Sequence, residues 1–241
     1  MASQPQTLGE TLDKLDGDVA APRLASVAYE QILDALVAGK LPGGSIIQER
    51  LLARLLNLSR TPVREAISRL EGEGLLQRVS PRVLMVNRVT VAEVLEILSV
   101  RRLLEVEAVG LAAGKMPHEE IDALCARVEA LLAARTVTAE AYHLLDDHIH
   151  EGIARAAGNW TLLAIVLDLR RKTAMFDMRR VPERFRPSCE EHLEILGAMR
   201  VGDGAAAARA IALHIDNVRK SILHRLSAGI DLGAARGEGR T

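Results

Sequence analysis

Apolar side chains recur at helical spacing along most of this 241-residue chain. In its first third they predict three helices followed by two short β-branched runs, a helix-helix-helix-wing order. The predicted elements are Val27–Leu36, Gln48–Leu56, a helix entered near Thr61, and the two wing strands Leu75–Val79 and Val83–Asn87.

The third of these helices has two different faces. Val63, Ile67 and Leu70 recur at positions i, i+4 and i+7 and form an apolar face, whereas Arg60 and Arg64 fall on the opposite side. Arginines near a helix N-terminus are well placed for phosphate oxygens or for the acceptor edge of guanine. The alternative is a solvated face that Arg60, Arg64 and Arg69 form with Glu65 and Glu71.

The rest of the chain is predicted to be an antiparallel all-α bundle, so the fold class is mainly α. The pattern Thr90-x-x-Glu93 is a capping box, and it opens a long helix from Val91 to about Gly114 after a short, stiff joint at Arg88 to Thr90. Five more helices are predicted from apolar spacing and from Gly, Asn and Pro in the loops. They are His118–Ala134, Thr138–Ala157, Trp160 to about Arg179, Ser188–Val201 and Gly204 to about Leu226.

Composition and charge narrow the class of protein. Aromatic residues make up only 2% of the chain, so the core must be aliphatic. The net charge is −1, yet residues 21–88 contain ten basic and six acidic side chains, which places positive charge on the segment with the arginine-rich helix. Cys125 and Cys189 are the only cysteines and form no C-x-x-C pair. We expect a cytoplasmic protein with no membrane segment.

The stretch from Ser59 to Ala66 reads S-R-T-P-V-R-E-A without a gap. Together with Leu41-Pro-Gly-Gly44 and Glu49-Arg50 before it, it closely resembles the winged helix-turn-helix of GntR-family transcription regulators. The resemblance spans roughly Leu24 to Leu226, and its second half is similar to the FadR-type ligand-binding domain. It implies a DNA-binding domain at 23–88 and an effector-binding and dimerising domain at 89–228. Polar composition without apolar periodicity predicts a flexible arm at 1–22 and a flexible tail at 229–241.

By this resemblance, five residues contact operator DNA: Arg50, Arg60, Thr61, Arg64 and Arg82. In one place the chain departs from the family pattern, because Val83 follows the wing arginine where a glycine usually stands. A wing tip that needs a positive φ cannot be built in the same way with valine. The groove contact of the wing is therefore an open question.

Histidines mark a second candidate site. His143, Asp146 and His150 share one helix face by i+3 and i+4 spacing, and His192 and His214 each lie within an apolar helical pattern. Each of these histidines taken alone is more typical of a core or surface position. The FadR-type resemblance, however, matches Asp146, His150, His192 and His214 in order as a metal site. Imidazoles with a carboxylate suit Zn²⁺, Ni²⁺ or Mn²⁺.

The resemblance also implies two contacts to an effector. Arg101 matches the family's R-x-x-L-E pattern and is predicted either to bind a ligand carboxylate or to pair with Glu105. Asn159 is predicted either to line the pocket or to cap a helix, and the cap is favoured.

These observations lead to one functional expectation and two alternatives. We expect a homodimeric, metabolite-responsive repressor that binds a short inverted-repeat DNA operator and senses a small organic acid at a metal. The first alternative is a metal-dependent, hydrolase-like enzyme, although no catalytic residue can be assigned. The second alternative is a constitutive DNA-binding protein whose metal is purely structural.

Overall fold

The computed structural model describes residues 20–176 and 182–228. The expected tail at 229–241 lies outside these ranges, and so does the expected arm except for residues 20–22, which begin the first helix. The chain separates into two compact units, one ending at Arg88 and the other beginning at Val89.

The first unit consists of three helices and a small antiparallel sheet. Its elements are α1 (Ala20–Val37), β1 (Ile46–Ile47), α2 (Glu49–Leu55), α3 (Arg60–Gly72), β2 (Leu76–Ser80) and β3 (Val83–Val86). The apolar face of α3 is buried as predicted, since Val63, Ile67 and Leu70 are fully covered. A tight turn at Asn57, whose φ of 53° is tolerated by asparagine, separates α2 from α3.

The wing hairpin is present, but the sheet has a strand that the sequence did not predict. The strand order is β1-β3-β2, and β1 pairs with β3 through Ile46 opposite Met85 and Ile47 opposite Leu84. A two-residue strand is too short to show periodicity, which is why it was missed. At the wing tip Ser80 pairs with Val83 after a register irregularity between Arg78 and Ser80. Within the described residues only Asn57 combines a side chain with a positive φ, so this tip is built without a left-handed residue.

The second unit is an all-helical bundle. Its helices are α4 (Val91–Ala112), α5 (His118–Ala133), α6 (Ala139–Ala156), α7 (Trp160–Met175), a 3₁₀ turn at Pro182–Arg184, α8 (Phe185–Arg200) and α9 (Gly204–Ser227). The α4 helix is central, because it packs against α6, α7 and α9. The predicted capping box begins it: the Thr90 side chain accepts from the Glu93 amide, and Glu93 accepts from the Thr90 amide.

The core of the bundle is aliphatic, as the low aromatic content required. Leu98, Ile149, Ile153, Ile195 and Ile211 are all at most 1% exposed. The mainly α fold class with a winged first unit is confirmed. Of the helices in the described ranges, none combines the length and the apolar character needed to cross a membrane.

Candidate nucleic-acid interface and metal centre

An open groove lies between the recognition helix α3 and the wing in the first unit. Four of the five predicted DNA contacts line it: Arg50 from α2, Arg60 and Arg64 from α3, and Arg82 from the wing tip. Thr61, the fifth, is exposed in the first turn of the same helix. The structure therefore brings together basic side chains from three separate elements on one surface.

The groove also contains the carboxylate of Glu49, to which the sequence assigned no role. Oε1 of Glu49 accepts a hydrogen bond of 3.0 Å from Nη2 of Arg64, and its Oε2 accepts one of 3.4 Å from Nε of the same guanidinium. Arg60 lies 3.5 Å from Oε1. These hydrogen bonds from Arg64, together with the charges of both arginines, hold the pKa of Glu49 below its usual range although burial opposes the shift. The carboxylate is therefore charged at neutral pH.

In the second unit, four potential metal ligands from three helices meet inside the bundle. Asp146 and His150 lie one turn apart on α6, His192 lies on α8, and His214 lies on α9. One ligand atom from each of the four falls within 4.8 Å of the others. The three histidines are 1–3% exposed, so the cluster lies in the interior of the bundle.

Two ring nitrogens in this cluster have no hydrogen-bond partner among the described residues. Nε2 of His150 and Nε2 of His192 are buried and accept or donate no hydrogen bond within the described part of the chain. Oδ1 of Asp146 lies 3.9 Å from the first of these nitrogens and 3.3 Å from the second. A buried polar atom without a partner is costly, whereas a cation between these atoms would satisfy all of them at once.

Two glutamates fix the orientation of the imidazoles. Glu105 of α4 contacts Nδ1 of His150 in a very short hydrogen bond, and Glu191 of α8 lies 2.8 Å from Nδ1 of His214. A charged carboxylate at Nδ1 selects the tautomer in which the imidazole proton is on Nδ1. The lone pair on Nε2 then points away from the carboxylate. Histidines that bind metals usually have such a carboxylate partner.

The glutamates are themselves held by cations and amides. Arg101 donates to Glu105 over 2.6 Å, and Glu191 accepts from Arg184 and, over 2.8 Å, from Asn217. Burial alone would raise the pKa of Glu191, but the hydrogen bonds from His214, Arg184 and Asn217 lower it to about 2. Likewise, the charge of Arg101, together with the hydrogen bond from His150, overcomes burial and holds the pKa of Glu105 far below its usual range.

Arg170 of α7 provides the corresponding support for the aspartate. Its Nη2 donates to Oδ2 of Asp146 and to Oδ1 of Asp147, both over 2.6 Å, which leaves Oδ1 of Asp146 facing the histidines. Burial opposes ionisation of Asp146, yet the Arg170 charge keeps its pKa well below the usual range. The cluster thus offers a carboxylate and three imidazoles, the donor set expected for Zn²⁺, Ni²⁺ or Mn²⁺.

A small cavity of about 50 Å³ adjoins the cluster. Arg101, Tyr142, His143, Arg170 and His214 are among the residues that line it. Nη1 of Arg170 is buried and has no hydrogen-bond partner within residues 20–176 and 182–228. Two of the metal ligands, Asp146 and His214, and a guanidinium with one nitrogen unpartnered in the described part of the chain therefore line the same cavity.

The two predicted effector contacts have different positions. Arg101 pairs with Glu105, which was one of its two predicted roles, and it also lines the cavity. Asn159 caps α7, because its Oδ1 accepts from the amide of Leu162 over 3.0 Å, and it is not among the residues around the cavity. His148 lies on the exposed face of α6, where its Nδ1 is 2.9 Å from Arg127.

Several supporting residues were not predicted: Glu105 and Glu191, which orient histidines, and Arg170 and Arg184, which hold the carboxylates. Glu105 is 45 positions from the histidine it contacts, so no local pattern connects the two. The one available signal was the R-x-x-L-E motif, in which Arg101 and Glu105 lie one helical turn apart.

Comparison with known proteins agrees with both units. Residues 24–83 match the family model for bacterial regulatory proteins of the gntR family, and residues 96–217 match the FCD domain. The HTH-type transcriptional repressor RspR of Escherichia coli (strain K12) is 26% identical over 206 residues, which are 81% of this chain and 86% of that protein. The HTH-type transcriptional regulator LutR of Bacillus subtilis (strain 168) is 27% identical over 204 residues, covering 73% and 90%.

Solved structures share the fold. E. coli McbR/YncC superposes with a TM-score of 0.76 at 21% identity and covers 84% of this chain and 98% of that one. A structure described as the metal-free FCD domain of TM0439 matches with a TM-score of 0.50 at 20% identity, over 59% of this chain and 99% of that one.

A winged helix-turn-helix followed by a helical FCD domain defines a DNA-binding transcription regulator rather than an enzyme. The chain belongs to the GntR family of bacterial regulatory proteins, and its second unit is an FCD domain, in agreement with the FadR-type resemblance.

Acidification is expected to destabilise the metal-free protein through the buried histidines. Burial and the charge of Arg170 lower the pKa of His150 to about 3. An unfolded histidine titrates near 6.5, so below that pH the unfolded chain binds a proton that the folded protein does not bind. The free energy of unfolding should therefore fall by up to about 1.4 kcal/mol per pH unit for this residue as the pH decreases.

Urea unfolding between about pH 7 and pH 5 in the presence of a chelator measures this slope. His150→Gln should flatten it. His148→Gln is the matched control, because it removes an exposed histidine from the same helix and should leave the slope unchanged. Equal slopes for the wild type and His150→Gln would show that His150 does not stay neutral in the folded protein.

Proposed function

We propose that this regulator is a metal-containing repressor that binds an inverted-repeat operator as a homodimer and responds to a small organic acid. The observation that carries the proposal is that Asp146, His150, His192 and His214 meet inside the bundle, where two buried ring nitrogens have no hydrogen-bond partner among the residues that the structure describes. Because it binds the operator, the protein is expected to work in the cytoplasm, where bacterial DNA is found.

The operator contacts are proposed to come from Arg50, Arg60, Thr61, Arg64 and Arg82. A major groove is wide enough to admit an α-helix such as α3, and the exposed guanidinium of Arg64 can donate two parallel hydrogen bonds to guanine. Arg50 from α2 and Arg82 from the wing tip line the same protein groove as Arg64 and suit phosphate contacts.

The few base pairs that one recognition helix can read support a dimer. One recognition helix reads few base pairs, and a second copy doubles both the contacts and the positive charge on the DNA-facing side. A symmetric dimer requires an operator with inverted symmetry. RspR carries the description of a repressor, which favours repression here as well.

Arg64→Ala is expected to weaken operator binding by about 1–3 kcal/mol and to relax the preference at one base pair in each half-site. Gel-shift titrations with an operator selected from random DNA, and with single-base variants of it, measure both effects. Arg155→Ala is the control, because it removes the same charge from an exposed arginine on α6 in the other unit. If folded Arg64→Ala kept the affinity and base preference of the wild type, the contact would be excluded.

The metal is proposed to be held by Asp146, His150, His192 and His214, with Glu105 and Glu191 orienting the imidazoles. A bound divalent ion would supply a positive charge and open coordination positions for an acid. Zn²⁺, Ni²⁺ and Mn²⁺ all accept this mixed nitrogen and oxygen donor set.

Purified protein is expected to contain about one divalent transition metal per chain. His192→Ala should lose it, and Glu191→Gln should lower the metal affinity by roughly 10- to 100-fold, because it weakens the partner of a ligand rather than a ligand. His148→Ala should retain the metal, since this histidine is exposed on the outer face of α6. Elemental analysis and competition with a chromogenic chelator measure these changes. Equal metal content in the wild type and His192→Ala would refute the assignment.

The effector is proposed to bind in the cavity beside the metal ligands. About 50 Å³ corresponds to only a few water-sized volumes, so a carboxylate and a few further atoms would fill it. The unpartnered Nη1 of Arg170 and the guanidinium of Arg101 provide positive charge for the carboxylate. The capping role of Asn159 leaves it outside this proposed site.

The remaining alternative is a regulator whose metal only stabilises the bundle. It predicts metal binding and operator binding without any effect of an acid on the operator. The cavity between the ligands and Arg170 favours the responsive form, because a purely structural site has no need of an open space lined by guanidinium groups.

A further inference from the structure

A negative charge inside a surface that must meet a polyanion is unfavourable, and Glu49 places one there. Its side chain is 12% exposed at the floor of the groove, whereas the side chains of Arg60 and Arg64 are 64% and 59% exposed. Phosphate binding gains from every net positive charge, so a carboxylate at this position reduces affinity unless it has another role.

The geometry of the pair suggests that role. A guanidinium has two edges that can each donate a pair of parallel hydrogen bonds. Glu49 contacts the edge formed by Nε and Nη2 of Arg64, with Nη2 at 3.0 Å and Nε at 3.4 Å. The other edge, formed by Nη1 and Nη2, is left for a base.

Glu49 is also well suited to hold its partner still. It is the first residue of α2, where a negative charge is favoured by the helix dipole. The buried residues Leu52 and Ala53 anchor this short helix against the first unit. A long, exposed arginine is therefore tied to a carboxylate whose own backbone is fixed.

We infer that Glu49 is a positioning residue for base recognition: it holds the side edge of Arg64 so that the end edge meets guanine O6 and N7. This inference rests on the proposed base contact of Arg64. An arginine restricted in this way loses less rotamer freedom on binding, and it can present two donors only to a base with two acceptors in the matching geometry. Glu49 would then exchange some general affinity for discrimination between bases.

The test is discrimination, measured as the ratio of affinities for the selected operator and for the operator with the Arg64-dependent guanine changed to adenine. For the wild type this ratio should be roughly 5- to 150-fold, the range of a bidentate pair. Glu49→Ala should lose most of it while binding unrelated DNA at least as tightly as the wild type. Glu49→Gln, which retains an acceptor oxygen without the charge, should keep an intermediate ratio.

Two controls separate positioning from charge and from folding. Glu65→Gln removes a negative charge from an exposed position on α3, the helix that carries Arg64, and should leave the ratio unchanged. In an Arg64→Ala background, Glu49→Ala should have no further effect on discrimination, because the two residues act as one unit. Melting curves for each variant confirm folding, and the near-isosteric Glu49→Gln keeps the test open if Glu49→Ala does not fold.

Different results would exclude the base contact of Arg64 and the positioning role of Glu49. If Arg64→Ala retains discrimination at every base pair, the proposed base contact fails and the inference fails with it. If Arg64→Ala loses discrimination but Glu49→Ala keeps it and binds the operator more tightly, the base contact stands. Glu49 would in that case only compete with DNA for the arginine, and the positioning role would be wrong.

Discussion

The interior of the FCD unit must compensate for burying three imidazoles and a carboxylate in an aliphatic bundle. Removing such groups from water is costly unless each polar atom finds a partner. Glu105, Glu191 and Arg170 satisfy the outer atoms of the cluster, but the inner Nε2 atoms of two histidines remain without one in the described part of the chain. The outer partners thus give the cluster its orientation, and a cation would complete it.

In both units, paired charges contact a side chain that is proposed to bind a ligand. In the bundle, anions orient imidazoles and cations orient the anions, so the network is buried and its geometry is restricted on every side. In the first unit, Glu49 contacts Arg64 at a solvent-exposed groove, where an ion pair adds little to stability. The buried network in the bundle can therefore affect folding and metal affinity. The exposed Glu49–Arg64 pair is suited to affect only DNA recognition.

The sequence predicted the features that repeat locally and missed those that depend on distant contacts. Periodicity located α3 and the bundle helices, and i+4 spacing placed Asp146 and His150 on one face. His192 and His214 could be joined to them only through the family resemblance, because helices α8 and α9 meet α6 only in the folded chain. Glu105 and Arg170 carried no signal of burial, since charged residues on helices are usually exposed. Strand β1 has two residues and depends on β3 for its existence.

If the proposed function is right, an acid bound at the metal cluster changes the affinity for the operator. Coupling requires the acid to bind the DNA-competent and the DNA-incompetent states unequally, and typical coupling energies of about 1–3 kcal/mol correspond to roughly 5- to 150-fold changes. The direct measurement is operator affinity of the metal-loaded protein at saturating concentrations of small organic acids that raise its melting temperature. The operator affinity is expected to change by this factor in the wild type and in His148→Ala, and to stay unchanged in folded His214→Ala. An acid that stabilises the wild type but leaves its operator affinity unchanged would contradict coupling between acid binding and operator binding.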